Sequence, residues 1–442
     1  MTAIAWFRRD LRLADNRALA SACAAGKVVP LFVLDDDSAG EFAIGGAQRW
    51  WLHHSLTRLR ESLGGMLLLR RGRAVDVVRA VAKEVGASEA HANRLYEPWE
   101  IATEAALADL VTFHDSDTIV PADRIRTGAG TAFKVYGAFW RALSEQLPPE
   151  EPVAAPKVEF AALPDGDQLD DWRLRPTKPD WAIGFGKEWT PGEDGAAERL
   201  ADFADAVAAY ARRRDLPSEE GTSRLSPHLH FGEVSPRQVW HALPGNGAKF
   251  LKELAWRDFA RSAIRAQPDL GWVNGRAGMN ALPWRTGQAA DADFAAWTRG
   301  CTGYPIVDAG MRQLWASGWM HNRVRMITAS FLVKHLLIDW RRGADWFWDT
   351  LVDADYGNNS LNWQWIAGTG TASQPFFRIM APLAQSEKFA AADYIREWVP
   401  ELADLSDAAI HDPADDQRDA YPPKRIGHRE ARDRALAAFK AG

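Results

Sequence analysis

The first third of the chain alternates short β-branched runs with Ala-rich or amphipathic segments, and no other feature constrains the fold as tightly. The runs are Ile4 to Phe7, Val28 to Leu34, Met66 to Leu69, a weaker Glu89 to Asn93, and Thr118 to Val120. Strands separated by helix-length connections pair in parallel, because a crossover rather than a tight turn must join them. The pattern predicts an α/β domain on a Rossmann-like parallel sheet over residues 1–130. The run VVPLFVLD ends in Asp35, Asp36 and Asp37, which places polar groups at a carboxyl edge where open α/β sheets bind ligands. No GxGxxG follows any of these runs, so a dinucleotide site of that type is not expected here.

From Leu147 to about Gly195 the sequence is rich in Pro, Gly, Asp and Glu (LPPEEPVAAPKVE, RPTKPDW, TPGEDG), which reads as a surface connection between domains. Residues 131–195 are assigned to this linker and 196–442 to a second, all-α domain. There TGYPIVDAGMRQLWASGW has Pro305 near a helix start and Gly318 near its stop, and HNRVRMITASFLVKHLLIDW continues with apolar residues at helical spacing. A length of 442 residues suits two cores of ordinary size. No apolar stretch is long enough to span a bilayer, and MTAIAWFRRDLRL lacks a secretory pattern, so a cytoplasmic protein is expected. Cys23 and Cys301 fit no zinc or redox spacing, and no metal site is expected.

A net charge of −6 argues against a nucleic-acid partner unless a local basic groove exists. The 21 Trp against 7 Tyr argue that some indoles have a use beyond packing, since a buried indole N–H needs a partner.

Two segments concentrate chemistry. In GTSRLSPHLHFGEVSPRQ, the side chains of Thr222, Ser223, Arg224 and Ser226 precede Pro227, and Ser-Pro reads as a helix N-cap followed by its first residue. That is the outline of a diphosphate cradle; two Ser-capped helices, at Ser226 and Ser235, account for the serines equally well. In VDADYGNNSLNWQW, Asp353 and Asp355 precede a Gly-Asn-Asn turn, and Arg325 is placed to ion-pair one of them. Asn359 offers a donor and an acceptor to a ring nitrogen, and the alternative is a turn with solvated acids.

EGTSRLSPHL, KELAWRDF, the long TGYPIVDAGMRQLWASGWMHNRVRMITASFLVKHLLIDW, DADYGNNSLNWQW and PFFRIMAP resemble, in order and spacing, the signature segments of photolyases and cryptochromes, as does the opening WFRRDLRLADN. The resemblance implies an N-terminal antenna domain and a C-terminal helical domain that binds FAD. It assigns the cofactor to Tyr210, Thr222, Ser223, Arg224, Leu225, Ser226, Arg257, Asn322, Arg325, Asp353, Asp355 and Asn359. It further implies light-driven repair of cyclobutane pyrimidine dimers in UV-damaged DNA. An electron passes from the excited reduced flavin to the dimer, the two bonds joining the pyrimidines break, and the electron returns.

The lesion must be flipped out of the duplex, and photolyases are among the standard cases of such enzymes. By resemblance Glu253 hydrogen-bonds it, Trp256 and Trp365 stack on it, and Asn322 and Met326 complete the pocket. Arg323 and Arg378 correspond to positions on the DNA backbone groove, and Trp363, Trp340 and Trp284 to an electron path outward from the flavin.

Within the family, members that repair 6-4 photoproducts carry two essential histidines where this chain has Asn322 and Met326, so the acid that chemistry needs is missing. Two cysteines cannot hold the cluster of the iron–sulfur branch. The alternative reading is a blue-light photoreceptor of the cryptochrome type. For an antenna pigment, YEPWE supplies Trp99 and Glu100 in place of the usual Asn-Glu pair. Methenyltetrahydrofolate, a deazaflavin and no pigment all stay open, with folate preferred. A monomer is expected.

Overall fold

A computed structural model describes residues 1–243, 245–371 and 375–441. Five parallel strands form one sheet in the order β3-β2-β1-β4-β5: β1 is Thr2–Phe7, β2 Lys27–Leu34, β3 Leu68–Arg71, β4 Glu89–Asn93 and β5 Val111–His114. The helices Arg17–Ala25 (α1), Gly46–Ser62 (α2), Ala74–Val85 (α3) and Pro98–Ala106 (α4) provide the crossovers. Residues such as Ile4, Val29, Leu31 and Ala90 are fully buried against Val78 and Val81 of α3, as a parallel sheet covered by helices requires. The expected α/β domain followed by helices is therefore what the chain adopts, and among the described residues every strand lies before residue 115.

Two strand expectations need correction. The third strand is displaced toward Arg70 and Arg71, whose polar side chains hid it; Arg71 is neutralised by Asp36 and Arg70 by Glu84. The fifth is not Thr118 to Val120 but Val111–His114, registered as Ala90↔Val111 through Asn93↔His114. Ile119 and Val120 instead donate their amides to one carboxylate oxygen of Asp258, at 2.9 and 3.3 Å, which takes the donors a ladder would use.

Contacts divide the chain into two compact units: Met1–Ala208 with Ser223–Asp269 and Val352–Gly357, and Ala209–Thr222 with Leu270–Leu351 and Asn358–Gly442. In the second unit the helix Pro305–Ser317 starts at Pro305 and stops at Gly318, whose φ of +69 is the left-handed conformation that favours glycine. The following stretch is not one continuous helix. Asn322–Ser330 gives way to a π-turn over Phe331–His335 and a break at Leu337. The π-turn carries Lys334 inward, where its amine donates to the Ala367 carbonyl at 2.8 Å beside the ring of Phe376.

Candidate functional site

Within the first unit the helix Ala248–Ala266 organises the site. Arg257 and Arg261 stand one turn apart on the same face. Asp117, in the loop after β5, holds both: its Oδ1 accepts from Arg257 Nη2 at 3.1 Å and its Oδ2 from Arg261 Nε at 2.7 Å. Arg261 then reaches Asp355 with Nη1 at 2.6 Å. All four are at least half-buried. Burial alone pushes Asp117 and Asp355 up, but Arg261 opposes it at both, aided by Arg257 at Asp117 and by His230 at Asp355. Asp117 ends below its ordinary value and Asp355 well below. The two carboxylates, with Glu97, hold Arg261 well above its own ordinary value against the same burial.

Asp258, on the same helix, behaves oppositely. Burial outweighs Arg257 and the amides of Val120 and Ile119, and the carboxyl is pushed up to about 7.

The cradle segment shows one correction. The helix there is Ser226–Phe231, its N-cap is Leu225, and Ser226 is its first residue rather than its cap. The Ser226 hydroxyl donates to Asp353 at 2.6 Å instead. At six residues this helix is too short to argue an anion site from its dipole. The second serine is the cap that was expected: Ser235 forms a full capping box with Gln238. Arg224 sits at φ +50, uncommon for a residue other than glycine, which folds Ser223 back so that its hydroxyl accepts from the Leu225 amide at 3.3 Å. Its guanidinium pairs with Glu188 at 3.0 Å.

Also in this unit, Trp256 lies face to face with Tyr136, ring centroids 3.7 Å apart and planes 9° from parallel. Glu253 pairs with Lys249 at 2.6 Å on the solvent side of the helix. Trp99 stacks on Phe42 at 5.8 Å and meets the edge of Tyr356 at 5.2 Å. The Glu100 carboxylate is engaged by Arg8, which also binds Glu104.

The second unit holds the remaining candidates. Tyr210 is buried under the Arg214 guanidinium, 5.3 Å from its ring, and Thr222 is half-buried. Asn322 is exposed at the start of its helix, behind His321, whose Nδ1 accepts from the Arg323 amide at 3.2 Å. Arg323 reaches Asp215 at 2.8 Å and the Met326 sulfur at 3.6 Å. Arg325 donates to the Met320 carbonyl at 2.7 Å, and Asn359 to that of Ala344 at 3.0 Å.

Trp363 is buried against Trp297 and Phe347, at 6.3 and 5.0 Å, and its ring lies over Gly343. Gly343 is one turn along the helix that begins with Trp340. Trp340 is fully buried and donates to Asn274 at 2.9 Å; Trp284 is half-buried beside Leu282, Leu337 and Phe376. Trp365 is half-buried and Arg378 exposed.

Sequence reasoning missed Asp117, Arg261 and Tyr136. Arg261 was readable as the i+4 neighbour of Arg257; Asp117 and Tyr136 reach that helix from distant loops and carried no local signal.

The donor set suits FAD. Arg257 keeps a buried nitrogen, Nη1, with no hydrogen-bond partner among the described residues, a donor that an acceptor on the cofactor would satisfy.

A family model described as DNA photolyase matches residues 3–157, and one described as the FAD binding domain of DNA photolyase matches residues 250–441. The chain is 46% identical over 472 residues to the deoxyribodipyrimidine photo-lyase of Agrobacterium fabrum, covering 99% of this chain and 97% of that protein. It is 36% identical over 441 residues to Cryptochrome-1 of Arabidopsis thaliana, covering 93% of this chain and 64% of that one. The crystal structure of a bacterial class III photolyase from Agrobacterium tumefaciens matches with a TM-score of 0.93 and 45% identity, over 100% of this chain and 97% of the other.

Proposed function

The chain belongs to the DNA photolyase family, which also contains cryptochromes, and from that premise we propose that it repairs cyclobutane pyrimidine dimers in UV-damaged DNA under blue light. The observation that favours this lesion over the 6-4 photoproduct is the state of the one imidazole in HNRVRM. His321 is buried, which pushes it down to about 4, and its Nδ1 lone pair is used as a helix cap. It is neutral at physiological pH, and neither Asn322 nor Met326 carries an acidic proton, so this segment supplies no general acid. Splitting a cyclobutane ring by electron transfer needs none.

Bound FAD supplies, when reduced and excited by light, the electron that opens the dimer. The residues proposed to hold it are Tyr210, Thr222, Ser223, Arg224, Leu225 and Ser226 toward the phosphates and sugar, and Arg257, Asn322, Arg325, Asp353, Asp355 and Asn359 around the rings. The Asp117–Arg261–Asp355 chain fixes the charge that Asp355 presents. On the lesion side, Trp256 and Trp365 offer flat apolar walls, Met326 a soft contact, and Glu253 a carboxyl for the charge arriving on the pyrimidine. The solvent-side pair of Glu253 with Lys249 costs little to exchange for a lesion contact.

Arg323 and Arg378 are proposed to meet DNA phosphates. Trp363, Trp340 and Trp284 are proposed to carry electrons inward when the flavin is oxidised. We retain 1–130, 131–195 and 196–442 as antenna, linker and catalytic segments. With Glu100 already held by Arg8, an antenna pigment such as methenyltetrahydrofolate would meet Trp99 in preference. A cytoplasmic monomer is proposed; no described helix is long and apolar enough to cross a membrane.

The test is repair of defined cyclobutane and 6-4 oligonucleotides side by side, in blue light and in darkness. Restoration of the cyclobutane substrate in light alone is expected, with a lower yield per photon for Glu253→Ala. Restoration in darkness, or of neither substrate, overturns the reading and in the second case leaves the photoreceptor.

A further inference from the structure

Trp256 has two ring faces, and one of them is already covered. Tyr136 lies against it at 3.7 Å and 9°. The pair is held from two further directions. The Tyr136 hydroxyl donates to the carbonyl of Lys252, one turn before Trp256 on the same helix. Phe259 meets both rings edge-on, at 5.6 Å to Trp256 and 5.8 Å to Tyr136, and Phe139 backs Phe259 at 5.4 Å. Tyr136 is 8% exposed, whereas its neighbour Val135 is 61% exposed, so the tyrosine is drawn inward out of a surface segment to make this contact.

We infer that Tyr136 is the positioning residue of lesion recognition, closing one face of Trp256 and locking its ring so that a flipped pyrimidine dimer can stack only on the other. The inference rests on the reading that Trp256 receives the lesion. An indole free to turn about its side-chain torsions must be ordered when the dimer arrives, and that ordering subtracts from affinity. An indole already stacked and edge-packed is presented ready-made. A single open face also fixes the side from which the lesion enters. Undamaged duplex places no base on Trp256, so Tyr136 acts on the preference for damage and not on general DNA affinity.

Two substitutions separate the roles of the ring and the hydroxyl. Tyr136→Phe keeps the stack and loses the hydrogen bond to Lys252; Tyr136→Leu keeps apolar bulk and loses the flat face. With FAD-loaded protein, binding of an oligonucleotide carrying one cyclobutane dimer and of its undamaged twin is measured by anisotropy in darkness. Tyr136→Leu is expected to weaken binding to damaged DNA by about tenfold, with undamaged binding and FAD content unchanged. Tyr136→Phe is expected to stay within about twofold of the parent. Should the leucine variant fail to fold, Tyr136→Met carries the same expectation.

Trp256→Ala provides the control. If it leaves damaged-DNA binding unchanged, the lesion reading of Trp256 fails; if it weakens binding while Tyr136→Leu does not, only the present inference fails. In the Trp256→Ala background the leucine change should cost nothing further. A full additional loss there, equal losses for Phe and Leu, or equal weakening of damaged and undamaged DNA would each overturn it.

Discussion

Arg261 holds Asp355 at 2.6 Å with one nitrogen while another holds Asp117 at 2.7 Å, so one fully buried guanidinium balances two carboxylates. Removing one partner of a buried pair leaves the other charge without compensation, at about 3–5 kcal/mol. Arg261→Gln strips Asp355 of its guanidinium and leaves Asp117 with Arg257 alone. We expect a large fall in Tm and loss of FAD on gel filtration.

The pH dependence follows from the direction of the Asp355 shift. Its folded value is well below its ordinary one, so its stabilising contribution is complete above the ordinary carboxylate range. That contribution disappears only as pH falls through the lower folded value. Flavin release on acidification should therefore begin below about pH 4 in the parent. In Arg261→Gln it should begin at higher pH, and flavin fluorescence against pH reads the difference.

Asp258 predicts the opposite sign. Its folded value is raised to about 7, so whatever it contributes is present in full below the ordinary 3.8 and is lost as pH rises through about 7. The upper bound on that loss is about 4 kcal/mol. Asp258→Asn keeps a carbonyl oxygen for the amides of Ile119 and Val120 and removes the titration. Chemical denaturation at pH 5 and pH 8 should show the parent weakening across this interval and the Asn variant nearly flat. A variant that weakens as much as the parent would show that Asp258 does not change its charge between these two pH values.

These groups mark the limit of what the sequence could reveal. The sheet was readable because parallel strands covered on both faces are apolar runs, and the fifth strand was misplaced onto Thr118 to Val120, where Ile119 and Val120 give their amides to Asp258 instead of to a ladder. The second-unit helices were readable from Pro305 and Gly318. Candidate site residues could be nominated where a motif carried them, as with Arg257 and Asp355. Their partners were not, because Asp117 meets Arg261 across 144 residues and Tyr136 meets Trp256 across 120, and no local periodicity encodes such pairings.

Arg323 and Arg378 should not contribute equally to DNA binding. Arg378 is exposed, whereas Arg323 is tied to Asp215 at 2.8 Å and lies 4.5 Å from the Phe389 ring centroid. Arg378→Gln should weaken binding to all sequences and reduce the slope of log K against log salt by about 1. Arg323→Gln should do less of both, since its charge is already partly compensated. Asp215→Asn should strengthen binding by releasing Arg323, and a salt titration of the three variants checks the order.

Gly343 decides where Trp363 can sit. A Cβ at this position would lie 2.2 Å from Cη2 of Trp363 and 2.5 Å from Cδ2 of Leu332. Alanine normally favours a helix interior over glycine by about 1 kcal/mol, but overpacking of this kind costs about 1–3 kcal/mol. Trp363 cannot retreat, because Trp297 and Phe347 stand edge-on around it at 6.3 and 5.0 Å. Gly343→Ala should therefore lower stability and, by displacing the indole, slow photoreduction of oxidised FAD. Trp363→Phe should abolish photoreduction while sparing repair by chemically reduced enzyme. The smaller ring removes the contacts with Trp363 and leaves the one with Leu332, so Gly343→Ala combined with Trp363→Phe should regain part of the stability lost by the alanine change and still fail to photoreduce. If the double variant stays as unstable as the sum of the two single changes, Gly343 does not act through the indole; if it photoreduces, Trp363 is not the first donor.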